Sequence, residues 1–282
     1  MRVTLWGTRG SLATPGPDTA RYGGNTSCVA VQGEQGTRVV LDAGTGIRRL
    51  GGAIDASVRR IDILLTHLHM DHIQGLGFFA PLYRPQTEVH IWGPASTDLS
   101  LQARIRRYLS PPLFPVSLRE LPCQLHLHEL GQAEFDIGEF RVTSARVCHP
   151  GPTVGYRIAD SRRRVVTYLP DHEPALGPRP FPSVPREWTS GGALAGDADL
   201  LIHDSQYSSH EYRDRVGWGH SSLTHVLDFA RLAGARHVVP FHHDPSHSDA
   251  ELDRLMSEAI DAFKPTFRIT PGREGTTFDL AA

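Results

Sequence analysis

Residues 64–75 of this 282-residue chain read LLTHLHMDHIQG, which sets four metal-binding side chains, His67, His69, Asp71 and His72, within six positions directly behind an apolar run. Imidazole nitrogen and carboxylate oxygen are the ligands of zinc and similar ions, and a catalytic metal keeps one position open for water. The preceding RIDILL (60–65) has the character of a buried strand, so THLHMDH falls in the loop at its end. There His67 and His69, two residues apart, can point the same way, while Asp71 and His72 begin a new turn or helix from the other flank. Two neighbouring ligand clusters suit two ions, an arrangement that can clamp the attacking and leaving oxygens of a displacement. The bland alternative, a histidine-rich surface loop, fits poorly with H-x-H-x-D-H spacing behind a buried strand.

One such motif cannot close two metal sites, so further ligands must come from elsewhere. His149 follows RVTSARVC, Asp171 follows VVTYLP and His242 follows HVVPF, each at the point where an apolar strand gives way to polar loop. Upstream, RVTLWG, SCVAVQG, TRVVLDAG and RIDILLT read as a meander of strands broken by glycine. Residues 96–109, STDLSLQARIRRYL, read as a helix behind a Ser/Thr cap, and the prolines of PPLFPV make 110–117 a loop. A second set of strands is expected from QLHLHEL, EFDIGEFRVTSARV, TVGYRI and RRRVVTYL, and the proline- and glycine-rich 174–196 is expected to be an extended surface loop.

The last third alternates strand DLLIHDS, a helix from about 221, strand HVVPF and a final helix. That last helix carries a stripe of Leu252, Leu255, Met256, Ala259, Ile260 and Phe263, and Ser248 with Glu251 reads as its capping box. The fold class expected is α/β: two sheets packed together with helices outside, as one domain over residues 1–282.

Bulk composition supports a folded core, with 39% hydrophobic residues, and a net charge of −2 leaves no global field for nucleic acid or membrane. Cys28, Cys123 and Cys148 lack paired spacing and read as reduced thiols, and MRVTLWGTRG is no secretion leader, so a cytoplasmic protein with no membrane partner is expected.

THLHMDHIQGL resembles the signature of the metallo-β-lactamase-fold hydrolases, and His149, Asp171 and His242 follow it in the order of that superfamily's remaining ligands. More narrowly, DAGTGIRRL, CHPGPTVGYRI, YLPDHEP, LLIHDSQY and GHSSLTHVLDFARLAGARHVVPFHHDP resemble the phosphodiesterase branch, which holds the RNase Z endonucleases and small cyclic-phosphodiester hydrolases. The resemblance implies a four-layer αββα sandwich and two divalent metal ions, with zinc favoured and manganese or iron also fitting. It places His67, His69 and His149 on one ion, Asp71, His72 and His242 on the other, and Asp171 between them, with Asp42 supporting from behind. The implied reaction is phosphodiester hydrolysis by a metal-activated hydroxide. Asp71, His220 and Asp204 are its catalytic residues; His220 of GHSS is the proton donor and Asp204 its partner, where RNase Z usually has glutamate.

In RNase Z a long glycine-rich arm that grips tRNA lies between the GYRI strand and the strand before the bridging aspartate. Here that interval is ADSRRRVVTY, room for a turn only. A small phosphodiester such as a cyclic nucleotide is therefore the expected substrate, with nucleic acid disfavoured and a homodimer compatible with the resemblance. An acyl bond, in a lactone or thioester, and an RNase Z-like endonuclease without the arm are the alternatives, and a metal-dependent RNA-binding or regulatory module with little turnover is the non-enzymatic one. Tyr22 and Asn25 are further candidates to touch substrate. Phe114 is expected to anchor its loop, with stacking on a base as the other reading; the loops at 110–117 and 174–196 are candidate walls of the site.

Overall fold

The computed structural model describes residues 1–175 and 185–280. The first sheet contains β1 (Arg2–Gly7), β2 (Cys28–Gln32), β3 (Arg38–Leu41), β4 (Arg60–Leu64), β5 (Glu88–Pro94) and β6 (Gln124–Leu130). The second contains β7 (Ala133–Ile137), β8 (Phe140–Arg146), β9 (Val154–Ala159), β10 (Val165–Leu169), β11 (Leu200–Asp204), β12 (His237–Phe241) and β13 (Arg268–Ile269), and β14 (Thr277–Asp279) returns to the outer edge of the first. The orders are β14-β1-β2-β3-β4-β5-β6 and β13-β12-β11-β10-β9-β8-β7, seven strands each among the described residues.

Each sheet is antiparallel in one half and parallel in the other. β3 through β6 run parallel, as do β10 through β13, and parallel neighbours need crossovers. Helices on the outer faces supply them: α1 (Ile47–Ala53), α2 (Met70–Ile73) and α3 (Leu101–Tyr108) on the first sheet, and α4 (Gly192–Ala195), α5 (Ser209–Tyr212), α6 (Leu223–Ala233) and α7 (Asp249–Phe263) on the second. The result is the four-layer αββα sandwich. Its central core joins Val31, Leu41 and Leu64 of one sheet to Tyr156, Val166, Ile202 and Phe241 of the other. Two outer cores sit under the helices, one around Ile47, Ile63 and Ile105 and one around Leu201, Val226 and Phe229.

Several local expectations change. QLHLHEL pairs with β5, so it closes the first sheet rather than opening the second. The upstream strands are a meander only through β3, because α1 turns β4 parallel. α3 begins at Leu101, five residues after the expected start, because Ser100 is the residue whose hydroxyl caps Ala103 N. Of the α7 stripe, Leu252 and Met256 are buried and the rest are only partly covered. The expected 174–196 loop lies partly outside the described residues; its described end instead contains the Arg186–Trp188 turn and α4.

Candidate metal centre

The C-terminal ends of β4, β10, β11 and β12 meet at one edge of the sandwich, and each of the sequence-expected ligands is delivered there. His67 and His69 leave β4, Asp71 and His72 sit on the short α2, His149 follows β8, Asp171 follows β10, and His242 follows β12. Their donor atoms form two groups within 4.8 Å, His67/His69/His149/Asp171 and Asp71/His72/Asp171/His242, and share Asp171. Its two oxygens divide between the groups. Oδ1 lies 2.9 Å from His72 Nε2 and 3.3 Å from His242 Nε2, while Oδ2 lies 3.7 Å from both His67 Nε2 and His149 Nε2.

The tautomers explain why these nitrogens can serve as ligands. His72 Nδ1 is tied to Asp42 Oδ2 at 2.7 Å, His149 Nδ1 to the Gly219 carbonyl at 2.8 Å and His242 Nδ1 to Gln206 Oε1 at 2.9 Å. All three partners are acceptors, so each Nδ1 carries the hydrogen and each Nε2 turns a lone pair to the centre. Thr66 extends the pattern: its hydroxyl donates to Asp42 and accepts from His67 Nδ1, so His67 Nε2 also presents a lone pair. His67 Nε2 is buried without a hydrogen-bond partner among the described residues and is aimed at Asp171, and an orphaned lone pair beside a buried carboxylate fits a divalent cation.

Charge supports the same reading. Burial, with His72 adding, holds His67 well below the usual imidazole range, and burial lowers His149, so both favour the neutral form a metal needs. His72 is the exception: burial opposes its protonation, but Asp171, Asp71 and Asp42 together raise it well above the usual value. A divalent cation would take the place of that proton.

Asp42, fully buried, is the support expected of it, receiving Thr66 N at 2.7 Å, His72 Nδ1, and the Tyr168 hydroxyl at 3.0 Å. Asp42 and His242 both take left-handed backbone, φ 58°, a conformation Asp and His tolerate better than most and one that clusters at functional sites. Of the adjacent pair, His242 faces the centre, and His243 turns away to the Gly272 carbonyl at 2.8 Å. Ser11 N donates to Asp71 Oδ2 at 2.8 Å, which brings the amino-terminal loop to the site.

His220 stands beside the cluster, stacked on His242 with ring centres 5.1 Å apart, and its Nδ1 meets Asp204 Oδ2 at 2.7 Å. It is not a helix cap, since Ser222 caps α6. Burial opposes its protonation, yet Asp204, with Asp171 and Asp71 adding, raises it to about 9.

The other candidates turn elsewhere. The Tyr22 hydroxyl donates to Asp253, and the Asn25 side chain to Glu274, so both amino-terminal residues hold the fold together. Phe114 is buried against Gly77 and Phe78 as a loop anchor, whereas Leu113 of the same loop lines the cleft beside the cluster.

Sequence reasoning missed Glu173. Its buried carboxylate receives the Tyr212 hydroxyl at 2.6 Å, Gly217 N at 2.9 Å and Gly219 N at 2.7 Å, and so fixes the loop that carries both the His149 acceptor and His220. Gly219 has φ 86°, and a Cβ there would stand 2.4 Å from His149 Nδ1, so the position needs glycine. The signals were present as an acid two residues after Asp171 and as the paired glycines of GWG.

Among known proteins, the profile of the beta-lactamase superfamily domain matches residues 37–243. The ribonuclease Z of Haloarcula marismortui is 26% identical over 308 aligned positions, covering 93% of this chain and 92% of that protein. In structure, the short form of human tRNase Z superposes with a TM-score of 0.69 at 21% identity, covering 100% of both chains. A diphosphatase of the PhnP family superposes equally, 0.69 at 18% identity, over 99% of this chain and 98% of the other. At these identities the structural likenesses speak for the fold.

Proposed function

We propose that this chain, which belongs to the beta-lactamase superfamily, acts as a member of its phosphodiesterase branch and hydrolyses a small phosphodiester at a two-metal centre, a reading the ribonuclease Z relatives support. The observation that carries this reading is Asp171 between two ligand groups, with His220 and Asp204 set against them. We take residues 1–282 to act as one hydrolase domain, since the central core draws on strands from both ends of the chain.

Divalent ions bound there supply charge neutralisation of the phosphate oxygens and acidify a water. His67, His69 and His149 would hold one, Asp71, His72 and His242 the other, with Asp171 placed within reach of both groups. Asp42, Gln206 and the Gly219 carbonyl hold the imidazoles in the ligating tautomer. Asp204 accepts from His220 Nδ1 and favours the protonated imidazole, so His220 Nε2 is the atom that would hand a proton to the departing alkoxide. A leaving alkoxide needs a proton whether it departs from phosphorus or from a lactone carbonyl, so a proton donor at His220 argues only against a thioester, whose thiolate leaves without one.

A ribonuclease Z reading is supported by the names of the curated relatives. Against it stands the join between β9 and β10, which is only the turn 160–164 where the tRNA-gripping arm would lie.

Hydrolysis of bis(p-nitrophenyl) phosphate, a cyclic nucleotide, a lactone panel and a precursor tRNA with a 3′ trailer separates these readings. We expect both phosphodiesters to be cleaved and His67→Ala to abolish turnover. His220→Ala should slow the cyclic nucleotide by ~10²–10⁴-fold and the nitrophenyl ester far less, since nitrophenolate leaves without a proton. No phosphodiesterase activity with zinc, manganese or iron overturns the proposal, and trailer removal faster than either small substrate moves it to the second reading.

A further inference from the structure

One charge in the cleft beside the metal centre has no part in the chemistry above. α3 presents Arg104, Arg107 and Tyr108 to this cleft, at the i, i+3, i+4 spacing of one helix face. Two of the three are spent locally: Arg104 donates to the Pro94 carbonyl and approaches Glu129 at 4.0 Å, and the Tyr108 hydroxyl donates to the Gln74 carbonyl. Arg107 is exposed and has neither a hydrogen bond nor an ion pair among the described residues. The cleft, about 510 Å³, also takes in His67 and His69 of the metal centre, and its other walls include Leu68, Met70, Leu113 and Pro152. Among the described residues, Asp98 is the one acid on the lining, and it makes no ion pair with Arg107.

A substrate group that fills this cleft from the metal centre meets apolar walls and then a guanidinium. Displacing water from Arg107 strands its donors unless the incoming group carries acceptors, so a neutral substituent is penalised and an anionic one is rewarded. The planar fork of arginine matches two oxygens of a phosphate at once.

We infer that Arg107 is a specificity-determining residue that binds a second phosphate on the substrate, a phosphomonoester carried by the apolar or aromatic substituent of the phosphodiester being cleaved. This inference rests on the phosphodiesterase reading and names its substrate class.

Two matched substrates test it: thymidine 5′-(p-nitrophenyl phosphate) and the same compound bearing a 3′-phosphate, with metal-loaded wild type, Arg107→Gln and Arg106→Gln. Arg106 is also exposed but borders a different groove, and it controls for general surface charge. We expect kcat/KM to favour the 3′-phosphorylated compound by roughly tenfold, the scale of one charge-assisted contact. That ratio should collapse toward one in Arg107→Gln and persist in Arg106→Gln. A wild-type ratio near one, a ratio that survives Arg107→Gln, or one that falls equally in Arg106→Gln overturns the inference while leaving bis(p-nitrophenyl) phosphate hydrolysis, and so the phosphodiesterase reading, untouched. Calorimetric binding of thymidine 3′,5′-bisphosphate and thymidine 5′-monophosphate gives the same test without turnover. Equal wild-type affinities, or a preference indifferent to Arg107→Gln, refute it even in a protein that cleaves neither ester.

Discussion

Replacing Glu173 with glutamine removes one oxygen from a carboxylate that all its neighbours treat as an acceptor. Oε1 receives both the Tyr212 hydroxyl and Gly217 N, and Oε2 receives Gly219 N at 2.7 Å. A glutamine keeps most bonds by placing its oxygen at the Oε1 corner, which points its NH2 at the Gly219 N–H. One charge-assisted bond is lost and one N–H is left facing another donor, together a cost of about 2–4 kcal/mol. Gly219 relieves that contact by moving, and its carbonyl is the acceptor that sets the His149 tautomer, with His220 the next residue. We therefore expect metal affinity to fall by ~10–100-fold, the usual effect of losing a partner behind a ligand. The melting temperature should fall by on the order of 5–10 °C. Competition against a chromophoric chelator reads the affinity, and thermal melts of metal-loaded and metal-stripped protein read the stability. Glu173→Ala should weaken both further, since it strands two backbone N–H groups. Chelator competition within twofold of wild type for Glu173→Gln would refute the link from this carboxylate to His149.

Asp42→Asn should leave the backbone undisturbed, because asparagine tolerates the φ of 58° at this position, yet it must turn an NH2 toward Thr66 or His72. Metal affinity falling by ~10–100-fold with an unchanged circular dichroism spectrum is the expected result, and unchanged affinity would remove Asp42 from its supporting role. A pH effect follows from His237, which lies far from the metal cluster and bonds Thr270 at 2.8 Å. Burial, with Arg268 adding, pushes it down to about 4. Below its ordinary value of about 6.5 the unfolded chain takes up a proton that the folded chain refuses, so stability is lost as pH falls from there toward about 4, by at most roughly 1.4 kcal/mol per unit for this group. Urea unfolding across this range should show a shallower acid loss for His237→Gln than for wild type; parallel curves would count against the assignment.

The ligand motif was legible because its information is local. A strand end and H-x-H-x-D-H spacing are properties of a dozen neighbouring residues, and the apolar runs that mark β4, β10, β11 and β12 carry their polar successors to strand ends however the sheets pair. His149, Asp171, His242, Asp204 and His220 could be picked out on the same ground and by resemblance. Alternation alone, however, does not reveal a strand's partner. QLHLHEL alternates as an antiparallel strand does, but β6 runs parallel to β5, a choice made by the crossover through α3.

Side-chain direction across long separations was likewise out of reach. Tyr22 and Asn25 lie in a glycine-rich loop at the site's side of the chain, yet their partners, Asp253 and Glu274, lie more than 200 residues on and draw them away. The sequence thus contained the kinds of ligand, their order and the strands that carry them, since these follow from short-range periodicity. The division of the two Asp171 oxygens between two groups, the choice of His242 over His243, the clamp made by Glu173 and an Arg107 left without a partner among the described residues arise only in the tertiary structure. Packing is what gathers residues 67, 149 and 242 around Asp171, each with a donor atom within 4.8 Å of its carboxylate, and the burial it imposes decides which polar atoms find partners and which are left for a cation or a substrate.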